Sequence, residues 1–425
     1  RRAHVLLVLL LVSLFFPLFP KVFGNAPIHL VVVNVILSFI LIFRCVHNSD
    51  FVKFLNIFAI VFLYQVFILT MSWFNGAVEG VEGFTDVVGI VKPIYMLLFL
   101  SIGASLNIDK RTFELYVFKY LKIAIVVGCI FSIYEIFLVQ EGSFIYDLYK
   151  REERLILLGK SVTWFGVSYY HSFFYLIPMI IFLFKLSSGD NSALMYFILS
   201  LALVLSAQSR TIFAVAIIAV LFILMLRPIR LFKIFAIFGA LSIIIFSYYS
   251  EEIIDFFWYL ESGLKAIEDY ESSGSITVRM DQILSAIKSQ NWLYGVGLGR
   301  HGAPLESIYS SYVYRFGFIN AVIFIVGFVV VGLMIFLKGR SSIDKGIGLF
   351  WAISPIAMFA SPMIEFPKIT FPLFLISGYV FRSIFLLYIW RSTFSFSACY
   401  FILFSIITVS KTTYKRHMIY VLFKF

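Results

Sequence analysis

Long apolar runs, broken by short polar stretches, recur along the whole chain. Their lengths suit helices that cross a hydrocarbon layer, which needs about 20 apolar residues per crossing. Twelve can be drawn: 4–19, 28–43, 51–71, 87–105, 116–139, 168–186, 193–208, 211–226, 231–249, 316–337, 347–361 and 369–390. None shows the alternation of a lipid-facing barrel strand, and backbone groups in lipid must be satisfied within their own segment, so each run is predicted to be a helix. The expected fold class is all-α: a polytopic membrane bundle of about twelve helices forming one transmembrane domain over 1–425. Residues 193–226 are interrupted only by Gln208, Ser209 and Arg210, which predicts a hairpin with Arg210 in its turn.

Two stretches break this rhythm. Residues 140–167 mix Glu141, Asp147, Lys150, Arg151, Glu152, Glu153, Arg154 and Lys160. Residues 250–315 form a loop long enough to expect a function. Within it Ile253, Ile254, Phe257, Leu260, Leu264 and Ile267 recur at helical spacing, opposite Glu251, Asp255, Glu261, Lys265 and Glu268. A second short helix is expected over 276–289, with Met280, Ile283, Leu284 and Ile287 on one side. Both read as amphipathic helices at a bilayer surface; the plainer alternative is a cap without chemistry.

Composition agrees with the pattern. The chain is 61% hydrophobic, 19% aromatic and only 13% charged, and 51 Phe with 24 Tyr exceed what one water-soluble core buries. Net charge is +11, but the basic residues flank apolar runs as orientation signals do, so no nucleic-acid partner is expected. With Arg1 and Arg2 in the cytoplasm, inner loops receive Arg44, Lys53, Lys110, Arg111, Lys185, Arg227, Arg230, Lys233, Lys338, Arg340 and Lys345. Short outer loops hold only Lys21, Arg210, Lys368 and the acidic Glu79, Glu82 and Asp86. Both long loops then fall outside. Residues 394–410 allow one more crossing; Lys411, Lys415 and Arg416 favour an interfacial segment with the tail inside. No small-residue cleavage site follows Arg1 and Arg2, so the first span is read as retained. Cys45, Cys129 and Cys399 have no metal or disulfide spacing, and no cofactor is expected.

Chemistry concentrates after the second surface helix. Gly295-x-Gly297 precedes Arg300 and His301, and Glu306-Ser307-x-Tyr309 leads to Arg315-x-Gly317 at the mouth of a span. Alternate glycines let a backbone turn sharply and approach a ligand closely. Arg279 followed by these motifs, in this order, resembles the large external loop of bacterial O-antigen ligases and Wzy-type polysaccharide polymerases. The Ser206-x-x-Ser209-Arg210 turn and the basic Lys92 in the fourth span are similar to the same superfamily, and the dozen spans match along nearly the whole chain. Ligases typically carry a histidine, in a His-Asn-like pair, where this chain has Glu306-Ser307, which resembles the polymerase branch.

The resemblance implies transfer of a growing glycan from undecaprenyl pyrophosphate to a fresh lipid-linked repeat unit, on the outer face of the bacterial cytoplasmic membrane. It further implies lipid-linked oligosaccharides and membrane lipids as partners, with a chain-length regulator and a flippase. Guanidinium forks match phosphate oxygens, which makes Arg210 and Arg279 the leading pyrophosphate ligands, followed by Arg154 and Lys92, with Arg300 nearby. No Asp-x-Asp or His/Cys cluster suggests a metal, so fixed cations would take its electrostatic role. Glu306 is the candidate base, with His301 its rival, and Tyr309, Tyr312 and Trp292 are candidate sugar-facing rings. The alternatives are a ligase that moves finished glycan, and a flippase or transporter of lipid-linked sugars. Transporters often show internal repeats, and none is evident.

Overall fold

The computed structural model describes residues 1–18, 28–78, 88–137, 148–149, 160–226, 274–288, 292–297 and 307–389. Among them are thirteen α-helices and no strand. The first eight are α1 (Arg2–Phe15), α2 (Ile28–Cys45), α3 (Asn48–Val78), α4 (Val88–Ala104), α5 (Lys110–Phe137), α6 (Ser168–Ser187), α7 (Ala193–Ser206) and α8 (Arg210–Leu226). The other five are α9 (Gly274–Lys288), α10 (Ile308–Phe316), α11 (Phe318–Lys338), α12 (Ser342–Ala357) and α13 (Pro367–Ile389). Residues 1–382 form one compact unit.

A helix stands at every expected span inside the described residues. The span at 231–249, the surface helix over 253–267 and the tail at 394–410 lie outside them. By length and apolarity, Asn48–Gly76, Lys110–Ile136, Ser168–Ser187 and Phe318–Lys338 can each cross a membrane. Arg2–Phe15, His29–Cys45, Ile94–Ala104, Ala193–Ser206 and Arg210–Leu226 are apolar but shorter. Large side chains along α2, α3 and α11, among them Ile36, Phe39, Leu63, Phe67, Val326 and Leu337, point outward, as lipid-facing residues do. The largely buried α6 and most of α13 form the centre. α11 and α12 approach closely through Gly332 and Gly348, where an added Cβ on either would strike the other's backbone.

Two helices start earlier than their apolar runs. Asp109 caps α5, its Oδ2 accepting from the Thr112 amide at 2.9 Å. Ser341 and Asp344 make a reciprocal capping box that begins α12 at Ser342 rather than 347. On α9 the expected apolar side is only partly right, since Ala286 is buried while Leu284 is 48% exposed.

Contacts between loops sort the helix termini into two ends. At one, the basic end, Cys45 Sγ donates to the Arg2 carbonyl, and Lys110 pairs with Asp344 at 2.6 Å. Arg382 reaches the Leu106 carbonyl there at 2.8 Å. At the other, the loop end, the Leu18 amide meets the Leu148 carbonyl at 3.0 Å and the Ser161 amide meets that of Ser206 at 2.9 Å. The Ile308 amide also bonds the Met358 carbonyl there, at 3.1 Å.

Candidate functional site

The loop end is held together by buried polar groups. Glu135, near the end of α5, is buried, and its Oε2 accepts from Ser161 Oγ at 2.7 Å and from the amides of Val162 and Thr163 at 2.9 and 3.0 Å. A carboxylate at a helix C-terminus opposes the helix dipole, so these three donors supply what the helix cannot. Thr163 Oγ1 meets His171 Nδ1 at 2.9 Å, and His171 Nε2 lies 2.9 Å from the Leu203 carbonyl. A carbonyl only accepts, so Nε2 carries the proton and Nδ1 accepts from the threonine hydroxyl. The segment 160–166 is thus tied to α5, α6 and α7 at once. Lys160, one of the charges of the mixed stretch 140–167, is buried here.

The backbone at this point is strained. Thr163 and Gln208 are buried non-glycine residues with positive φ, 45° and 50°, and the Ser161–Ser206 bond joins their two loops. A β-branched residue in the left-handed region is a genuine outlier, and such strain clusters at functional sites. Beside it Lys368, on the first turn of α13, is fully buried. Its Nζ donates to the Trp164 carbonyl at 2.8 Å and lies 4.7 Å from the centre of the Tyr149 ring. The rings of Phe15 and Phe131 close edge-on over Trp164, at 4.7 and 5.3 Å.

Across the same end, the two glycine motifs interlock. The Val296 amide donates to the Tyr314 carbonyl at 2.7 Å and the Ile319 amide to that of Trp292 at 3.1 Å. A Cβ on Gly295 would overlap the backbone of Tyr314 and Arg315, and Gly317 sits at φ 78°, with Leu293 and Trp292 backbone within 2.7–2.9 Å of where a Cβ would stand. Asn75 on α3 clamps the Gly295 carbonyl at 3.1 Å, and Asn320 that of Leu293 at 2.6 Å. The expectation that Gly295 and Gly297 approach a ligand is therefore corrected for Gly295: its close approach is to the chain's own backbone. At the base of the interlock Arg315 Nη1 donates to both oxygens of Glu365, at 2.6 and 2.8 Å. Burial disfavours the Arg315 cation, but the Glu365 carboxylate more than compensates and raises its pKa.

Of the residues expected to act, Arg210 opens α8 directly after the predicted hairpin turn and Arg279 lies on α9, which packs on α10. Both belong to the loop end, and the Nε of each is buried. Lys92 stands on α4 three residues before Tyr95, whose hydroxyl reaches the Glu365 carbonyl at 3.2 Å. Tyr309 ties α10 to α12 by donating to the Pro355 carbonyl at 3.0 Å, and burial pushes its phenol up. Tyr312 is buried against Phe316, so it belongs to the core rather than to a sugar-facing surface. Trp292 remains 52% exposed. Arg154, Arg300, His301 and Glu306 lie outside the described residues. Among those described, no group of three His, Cys, Asp or Glu is placed to hold a metal ion.

Sequence reasoning left Glu365, His171 and Lys368 without roles and gave Arg315 none beyond its motif. The available signal was an ionisable residue inside or at the lip of an apolar run, which carries a functional expectation by default. The apolar helices and the polar end they carry mark the chain as a membrane protein. Compared with known family models and with curated proteins, the sequence finds no match.

Proposed function

We propose that the chain is a membrane glycosyltransferase that polymerises undecaprenyl-pyrophosphate-linked repeat units into an O-antigen or capsule-like polysaccharide. In this reading about twelve helices cross the bacterial cytoplasmic membrane, with the basic end inside and the loop end outside. One observation carries it: the Ser206–Arg210 turn, Arg279, Gly295–Gly297 and Arg315–Gly317 are far apart in sequence yet belong to one end of the bundle. These are the segments on which the resemblance to the ligase and polymerase superfamily rests.

The chemistry follows from charge. Arg210 and Arg279 stabilise the negative charge that develops on pyrophosphate as the anomeric C–O bond breaks. Glu306 takes the proton of the acceptor hydroxyl, whose oxygen forms the new glycosidic bond from the opposite side, inverting the anomeric centre. Glu306→Gln preserves size and most hydrogen bonding while removing the base. Cells carrying it should accumulate the protein normally and make single lipid-linked repeats, but lose the ladder of polymer lengths on a gel. The expected rate loss is about a hundredfold to ten-thousandfold. A normal ladder at native expression overturns the assignment, and passes the base to His301 or to a carboxylate of 140–167.

A further inference from the structure

Arg315 has donors that the reading above does not use. Both of its bonds to Glu365 leave from Nη1, and Nε and Nη2 donate to no described residue. Nε and Nη2 form the side-on edge of the guanidinium, the edge whose two parallel hydrogens match two oxygens of a phosphate. The Arg315 side chain is 20% exposed and that of Glu365 10%, so the pair reaches the surface of the loop end without being solvated all round.

A second group points the same way. Ser311 lies one turn before Arg315 on the same face of α10, and its buried Oγ has no hydrogen-bond partner. Other buried helical serines satisfy their hydroxyl, either on a carbonyl three or four residues back, as Ser38 does on Asn34 at 2.7 Å and Ser310 on Ser307 at 3.1 Å, or on a side chain of another segment, as Ser13 does on Asn34 at 2.7 Å and Ser132 on Ser161 at 2.6 Å. Ser311 does not, and an unpartnered buried hydroxyl is costly unless something else supplies its bond. Tyr95, bonded to the Glu365 carbonyl, and Tyr170, stacked on Phe366 at 4.4 Å, make a rigid wall beside the pair.

We propose that Arg315 is an anion-binding residue: its Nε–Nη2 edge, with the Ser311 hydroxyl as a further donor, takes a phosphate group of a lipid-borne pyrophosphate. Glu365 is its positioning residue, fixing the guanidinium by the opposite nitrogen. The site stands on the geometry of α10 and the 363–365 turn; only the identity of the carrier, an isoprenoid, rests on the polymerase reading. An anionic phospholipid headgroup offers the same chemistry, and the test separates the two.

Full-length protein in detergent is titrated with farnesyl pyrophosphate, inorganic pyrophosphate and phosphatidylglycerol, and bound species are counted by native mass spectrometry. Wild type should bind farnesyl pyrophosphate most tightly, with inorganic pyrophosphate competing. Arg315→Lys keeps the charge opposite Glu365 but loses the planar edge, and should weaken binding at least tenfold. The double variant Arg315→Gln, Glu365→Gln removes both charges together and should abolish it. Ser311→Ala, which leaves no group unpaired, should weaken binding severalfold at an unchanged melting temperature, and decides the matter if either charge variant fails to fold. Arg315-dependent binding of phosphatidylglycerol in preference to farnesyl pyrophosphate overturns the carrier. Wild-type affinity for all three probes in folded Arg315→Lys and Ser311→Ala overturns the site. Arg315-dependent binding of farnesyl pyrophosphate by a chain that makes no polymer keeps this site and refutes the polymerase.

Discussion

The two ends of the bundle use the same residue types in opposite ways. At the basic end, charged groups stop and start helices, most of them at the surface. Asp109 is exposed and Asp190 partly so, and each has its pKa lowered by its bonds: Asp109 by the Thr112 amide it caps, Asp190 by the Ser192 hydroxyl and Lys185. Asp344 is buried, but there its charge joins a capping box to the half-exposed Lys110, and Arg382 reaches Asp50 at 3.4 Å. At the loop end, Glu135, Lys160 and Lys368 are buried, and Thr163 and Gln208 hold left-handed backbone. Desolvated charge and strained backbone cost stability, and terminating a helix requires neither. The fold needs the first end; the second carries groups whose only justification is what they hold or bind.

Three substitutions test that contrast. The largest effect belongs to Glu135→Leu, which strands the amides of Val162 and Thr163 and leaves the Ser161 hydroxyl only its bond to Ser132 at 2.6 Å. Hydrogen bonds to a charged group contribute about 1.5–3 kcal/mol each, so a loss of roughly 3 kcal/mol or more is expected. Thermal unfolding in detergent measures it, and a near-native midpoint would show the network to be dispensable. Next comes Gly295→Ala, whose Cβ meets immobile backbone. About 1–3 kcal/mol is expected from overpacking, together with faster amide exchange at Val296 and Ile319, the donors of the interlock. Smallest is Lys185→Ala, which removes a partly exposed pair 3.0 Å from Asp190 and should change stability by about 0.5 kcal/mol or less. The Asp190 contribution is present at neutral pH and is lost only as pH falls through its depressed pKa, under the usual carboxylate range. A Lys185 variant as damaged as the Glu135 one would erase the distinction between the ends.

How much of this was legible follows from the range of the forces involved. Apolar runs are local, so helix positions could be read directly, and the hairpin at Arg210 is where its three polar residues put it. The early start of α12 was also written locally, in Ser341-x-x-Asp344, but hydropathy does not register a cap. The partners of Glu135 lie 26 to 28 residues away, on a loop whose path no periodicity reveals. Lys368 looked like an ordinary loop charge because only the folded chain brings Trp164 and Tyr149 over it. Gly295 carried a correct signal, close approach, with the wrong partner, since sequence cannot separate a ligand from the chain itself.

The length of α3 has a mechanical consequence. Its 31 residues make a rod about 46 Å long, against a hydrocarbon core about 30 Å thick. The inclination usual for such helices, about 20°, shortens the rod's height too little to absorb the difference, so its final turns stand clear of the acyl chains. Those turns carry Asn75, whose amide holds the Gly295 carbonyl. The glycine interlock is therefore mounted beyond the acyl chains, at the depth where lipid headgroups lie, on a helix that is itself held upright by its packing on α4 and α10.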